Sequence, residues 1–88
     1  MRDIVVVTKA DYVDAYTLAL TFNDGLKAEI DYSDWIEKYP YFEPLKDHDY
    51  FKKFSLDGWT VVWPNGADIA AETLHKIALE TQQQVRTF

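Results

Sequence analysis

The sequence predicts an α+β fold: a two-layer domain of about five strands, antiparallel or mixed, with short central helices and one C-terminal helix. Three observations carry that expectation. Two stretches of alternating apolar and polar residues are each interrupted by an Asp-Gly pair, at Asp24-Gly25 and Asp57-Gly58, which is the pattern of a β-hairpin. Apolar residues recur at helical spacing from about Ala70 to Thr81. Between them, Trp63-Pro64-Asn65-Gly66-Ala67-Asp68-Ile69-Ala70 compresses an aromatic strand end, a turn and a helix entry into one short run. Pro64 presets φ, Asn65-Gly66 supplies left-handed backbone, and Asp68 is placed to accept amide hydrogens at a helix start.

In chain order, Ile4 to Lys9 reads as a buried leading strand because β-branched residues dominate a short apolar run, and Asp11 and Asp14 mark the connection after it. The first hairpin follows. Tyr16, Leu18, Leu20 and Phe22 alternate with polar or small residues, and so do Leu26, Ala28, Ile30 and Tyr32. A two-residue loop would set Phe22 against Lys27. A loop of Asn23-Asp24-Gly25 instead pairs Phe22 with Leu26, Leu20 with Ala28 and Leu18 with Ile30. A one-residue slip moves every side chain to the other face, so the longer loop is required, with Gly25 left-handed.

Ser33 reads as an N-cap, with Asp34 and Glu37 in the first helical turn and Trp35 and Ile36 facing the sheet. Pro40 ends that helix by excluding helical geometry at Tyr39. From Tyr41 to Leu45 the chain reads as irregular, and Asp47 as the cap of a second short helix to Lys53 that buries Tyr50, Phe51 or both. At Asp57-Gly58 a two-residue loop pairs Leu56 with Trp59 and Phe54 with Val61, placing Trp63 on the same face and closing one sheet with the first hairpin. The final helix sets Ala70, Leu74, Ile77, Ala78 and Thr81 inward, with Glu72, Lys76 and Glu80 outward. Residues 1–88 are expected to form a single domain with a core over 1–81 and a frayed polar tail over 82–88.

Composition narrows the function classes. Fifteen acidic against nine basic residues give a net charge of −6. Lys52-Lys53 is the only adjacent basic pair, so direct nucleic-acid binding is disfavoured and a basic protein partner is the better electrostatic match. The absence of Cys excludes disulfides and thiol chemistry. No run is long enough to span a membrane and no leader is recognisable, which points to a cytoplasmic protein.

Three pieces together resemble an uncharacterised bacterial family, Domain of Unknown Function 2442. They are Leu20-Thr21-Phe22-Asn23-Asp24-Gly25, the centre Pro44-Leu45-Lys46-Asp47 followed by Tyr50-Phe51, and Trp63 to Ala70. Where family members often open the last helix with Pro-Glu, this chain has Ala71-Glu72. The resemblance implies a compact α+β domain without known catalytic residues. Some relatives carry a helix-turn-helix module, for which this chain has no room, and others lie beside a small gene suspected to encode a toxin. An antitoxin-like role is what that context implies.

The residues themselves point away from an enzyme. His48 lies between Asp47 and Asp49 as in a solvated helix start, His75 is spaced to meet Glu72, and no nucleophile, phosphate loop or zinc motif accompanies them. No catalytic residue, metal or cofactor is expected. The candidate interaction surface is Trp63, Pro64, Asn65, Gly66 and Asp68, with the aromatic-rich break Tyr39, Tyr41 and Phe42 as a second patch. Trp63 has two readings, a half-exposed anchor or a core residue, and its shared face with Val61 favours the core. An unpaired sheet edge makes a homodimer an expectation. The alternative is a ligand-sensing domain with a pocket between sheet and helices lined by Trp35, Tyr50 or Trp59.

Overall fold

The computed structural model describes residues 4–86, without the side chains of 82–86. Three antiparallel strands, β1 (Val7–Asp14), β2 (Thr17–Phe22) and β3 (Lys27–Asp31), form one sheet in chain order. The β2–β3 register pairs Leu18 with Ile30 and Leu20 with Ala28, as the three-residue loop requires. Phe22 donates its amide to the Leu26 carbonyl over 2.8 Å, and Gly25 adopts φ of 91°. Strand β1 begins later and ends later than the sequence predicts. It runs to Asp14 because Ala10 and Tyr12 oppose Leu20 and Leu18, so Asp11 and Asp14 are strand residues and not a connection. The polar outer row hides this strand in a pattern search.

The second hairpin departs from expectation. Strands β4 (Ser55–Leu56) and β5 (Val61–Val62) pair Leu56 with Val61 and Ser55 with Val62, across a four-residue connection, and stand as a separate two-stranded sheet. The cause is Asp57. Its carboxylate accepts the amides of both Trp59 and Thr60, at 2.9 and 3.0 Å, and this local curl outcompetes the tight two-residue turn. Trp59 is thereby turned out, 56% exposed, while its carbonyl accepts the Val7 amide at 2.9 Å and ties the loop to β1. The expected Leu56–Trp59 and Phe54–Val61 pairs and the single five-stranded sheet are therefore replaced.

Trp63-Pro64-Asn65-Gly66-Ala67 repeats the turn made by Phe22-Asn23-Asp24-Gly25-Leu26. In both, the glycine amide returns to the aromatic carbonyl (2.8 and 2.9 Å) and the aromatic amide donates to the carbonyl after the glycine. In both, the Asn or Asp side chain accepts the amide two residues on, at 3.0 Å. The turn places Asp68 opposite Val62 in a β-bridge, so Asp68 does not cap a helix. The last helix, α3 (Ala71–Arg86), begins next to Ala70 as its spacing predicts, and the Leu74 amide donates to the Ala70 carbonyl over 3.1 Å.

Helix α1 (Ser33–Lys38) is anchored from outside. One Asp31 carboxylate oxygen accepts both the Ser33 amide (2.8 Å) and its hydroxyl (2.6 Å). Ser33 is thus the first helical residue and a donor to Asp31, not the cap. Tyr39 is extended ahead of Pro40, as expected. The segment Pro40–Lys46 is not irregular but a 3-10 helix that buries Phe42 and Leu45. Asp47 does cap the next helix, α2 (His48–Phe51), accepting the Asp49 amide at 2.9 Å; that helix stops before Lys53 and buries Phe51 while Tyr50 is half-buried.

Leu18, Ile30, Val61 and Leu74 share one core cluster. At its centre the rings of Tyr32, Phe51 and Trp63 lie 5.3–5.9 Å apart. α3 contributes Ala71, Leu74 and Ala78, with Ile77 and Thr81 half-buried; Ala70 is exposed. The fraying expected from Gln82 bears on residues whose side chains, or at 87 and 88 whose backbone, lie outside the described residues.

Candidate interaction site

Between α1 and α3 lies a cleft of about 260 Å³ lined by Asp31, Asp34, Trp35, Lys38, Tyr39 and Ile77. Its shape follows from local rules. Asp31 is fixed by its bonds to Ser33, and Asp34 and Lys38, four residues apart, fall on the same helical side. Trp35 is half-buried, its ring 5.2 Å from that of Tyr32. Pro40 stops the helix, so Tyr39 stands at the cleft rim, 51% exposed.

From Tyr39 an aromatic shoulder continues to Tyr41, 57% exposed. Here the two sequence-predicted patches become one. The Asn65 side-chain amide donates to the Tyr41 carbonyl at 3.1 Å, and the Tyr41 hydroxyl reaches the Asn65 carbonyl at 3.5 Å. Gly66 lies directly beneath, where an added Cβ would sit 3.1 Å from the Tyr41 hydroxyl. Pro64 and Asp68 are exposed beside this contact.

Two predicted site residues are elsewhere. Trp63 is buried, and its indole N–H donates to the Phe51 carbonyl across 2.7 Å. Phe42 is also a core residue. Neither presents a contact surface. Of the aromatics expected to line a pocket, Trp35 does so, whereas Tyr50 packs against the core and Trp59 is exposed on its loop. Asp31, Asp34 and Lys38 are the cleft residues that sequence reasoning missed. The signal the sequence does hold is the i, i+4 spacing of Asp34 and Lys38, which sets both on one side of a short helix.

Both histidines have structural partners. His48 stacks on Tyr16 with centroids 4.6 Å apart. The Tyr16 hydroxyl donates to the Lys46 carbonyl. His75 does not meet Glu72; its Nε2 lies 2.8 Å from an Asp24 oxygen, and its ring stands edge-on to Phe22 at 5.0 Å. Among the described residues, no three His or acidic groups converge as metal ligands. No helix of the described residues is long and apolar enough to cross a membrane.

Among the described residues, three groups are shifted from their ordinary values. The Leu26 amide first, then His75, hold the Asp24 carboxyl below its usual value. The Thr60 and Trp59 amides do the same for Asp57. Burial pushes the Tyr32 phenol up, and its hydroxyl has no hydrogen-bond partner among the described residues.

Compared with known proteins, the chain finds no match among curated proteins or solved structures. A family model does match residues 7–80, from the first strand through the cleft and into the last helix, and the chain belongs to the family described as protein of unknown function (DUF2442).

Proposed function

We propose that this chain is a non-enzymatic, acidic interaction domain that acts in the cytoplasm and binds a basic protein partner, in the manner of an antitoxin neutralising its target. The observation that carries the reading is a cleft that sets Asp31 and Asp34 beside Trp35 and Tyr39, only two positions along the chain from the exposed Tyr41 that is tied to the Asn65-Gly66 turn. Aromatics flanked by ordered polar groups are the chemistry of interface hot spots, and a net charge of −6 steers a cationic partner.

The ligand-sensing alternative has one observation in its favour, the placement of Trp35 in the cleft between α1 and α3. The cleft's size argues for the protein partner. At about 260 Å³ it falls below the roughly 300–1,000 Å³ usual for enclosed small-molecule sites.

Co-expression with the product of the adjacent gene tests the proposal. A salt-sensitive complex that survives gel filtration, and is lost in a Tyr39→Ser/Tyr41→Ser variant of unchanged circular dichroism, is the expected result. A small basic neighbour that never co-elutes would remove the antitoxin-like reading.

A further inference from the structure

We infer that the cleft between α1 and α3 is a receptor for a single arginine side chain projected by the partner, its guanidinium stacked on Trp35 and held by Asp31 and Asp34. The inference rests on the interaction reading above and names the chemistry of its central contact.

Five observations converge on a guanidinium. The cleft combines carboxylates with aromatic rings, the two surfaces that a planar cation satisfies together. Asp31 commits one oxygen to Ser33, at 2.8 Å from the amide and 2.6 Å from the hydroxyl, so the carboxylate is pre-oriented with its second oxygen available to a fork-shaped donor. Trp35 is half-buried against Tyr32, which holds the indole in place before anything binds. The volume suits one side chain rather than a whole metabolite. Ile77 gives the aliphatic stem of an arginine an apolar surface to lie against.

Lys38 lines the same cleft and carries the same sign as the proposed occupant. An incoming guanidinium competes with this ammonium for the carboxylates. Removing that charge should therefore tighten binding, the opposite of what generic damage to the cleft would do.

The test uses N-acetyl-arginine methylamide as probe and the uncharged, nearly isosteric N-acetyl-citrulline methylamide as control, read by ¹H–¹⁵N spectra of the full chain. The Trp35 indole and the Asp34 and Tyr39 amides should shift saturably with the arginine probe and not with citrulline. Asp34→Asn should weaken the probe about fivefold, and Lys38→Gln should strengthen it. An unmoved Trp35 signal, an equal response to citrulline, or an Asp34→Asn variant that binds as well as the parent overturns the inference. Should the partner complex form normally with Asp34→Asn and Trp35→Leu yet fail with Tyr41→Ser, the arginine receptor is wrong and the interaction domain stands. Should the complex not form at all, it is the broader reading that fails.

Discussion

The His75 imidazole on α3 and the Asp24 carboxylate in the first hairpin loop meet at 2.8 Å, across 51 positions of sequence. The contact staples the open end of the three-stranded sheet to the C-terminal helix, and Phe22 beneath it is buried against the same ring.

Asp24 makes this link pH-sensitive with a definite sign. Its carboxyl is held below the ordinary value of 3.8 by the Leu26 amide first and His75 second. A depressed carboxyl contributes stability that is present above its unfolded value and lost as pH falls through its folded one. Resistance to thermal unfolding should therefore weaken in acid below about 4, and Asp24→Asn should narrow the gap in Tm between neutral and acidic buffer. Asp57, lowered by the Thr60 and Trp59 amides, adds to the same window, so the double variant should flatten the acid limb further. An acid limb unchanged in both variants would show that these bonds do not hold in solution.

At the alkaline end the controlling group is Tyr32. Its hydroxyl is buried without a partner among the described residues, and burial raises its pKa above the ordinary 10.0. For a group raised in this way, stability is complete below the unfolded value and falls as pH rises past it. Tyr32→Phe deletes an unpaired polar atom while keeping the ring contacts to Trp35, Phe51 and Trp63. Urea unfolding at neutral pH should show no loss, and a gain of up to about 1 kcal/mol. The variant should also lose part of the alkaline destabilisation expected of the parent.

Gly66 and Tyr41 supply a coupling test of the shoulder. Gly66 has φ of 88°, and a Cβ there would stand 3.1 Å from the Tyr41 hydroxyl. Gly66→Ala should cost about 1–2 kcal/mol from the left-handed backbone alone, plus whatever the hydroxyl contact adds. In a Tyr41→Phe background that second part should vanish. A double-mutant cycle with no coupling would place Tyr41 away from the turn.

What the sequence made legible, and what it did not, divides by the range of the forces involved. The Asn23-Asp24-Gly25 loop and its register were readable because alternation on both strands and turn chemistry demanded one answer. The Asp47 cap was readable because a short side chain and a nearby amide decide it. The second hairpin was misread because Asp57 prefers bonds to Trp59 and Thr60 over the tight turn its neighbour Gly58 offers, and pattern alone does not rank the two. Trp59 and Trp63 were placed on one face, yet one is exposed and the other buried. The cleft was missed for another reason. Asp31, Asp34 and Ile77 come together only through tertiary packing, and of the lining residues the sequence marks Trp35 alone for a pocket wall.

Ala15 carries the one positive φ among the described non-glycine residues, 46°, in the turn between β1 and β2. An L side chain in the left-handed region costs roughly 1–2 kcal/mol, of which glycine returns part after its own entropy is counted. Ala15→Gly should stabilise the domain by about 0.5 kcal/mol, provided the Tyr12 hydroxyl keeps its 3.2 Å bond to the residue-15 carbonyl. A lower urea midpoint would show that the turn relaxes differently in solution.

The two tryptophans of the second hairpin give the sharpest contrast. Trp63 is buried and donates its indole N–H at 2.7 Å to the carbonyl of Phe51, the last residue of a helix too short to use that acceptor itself. Trp63→Phe removes the donor, leaves the acceptor unpaired and opens a void beside Tyr32, and should cost about 2–4 kcal/mol. Trp59 is more than half exposed, and its hydrogen bonds among the described residues are made by its backbone, as acceptor for the Val7 amide and donor to Asp57. Trp59→Phe should therefore change stability by less than about 0.5 kcal/mol. Chemical denaturation of the two variants side by side reads the difference, and equal losses would mean that the indole of Trp63 is not the tie between the hairpin and α2.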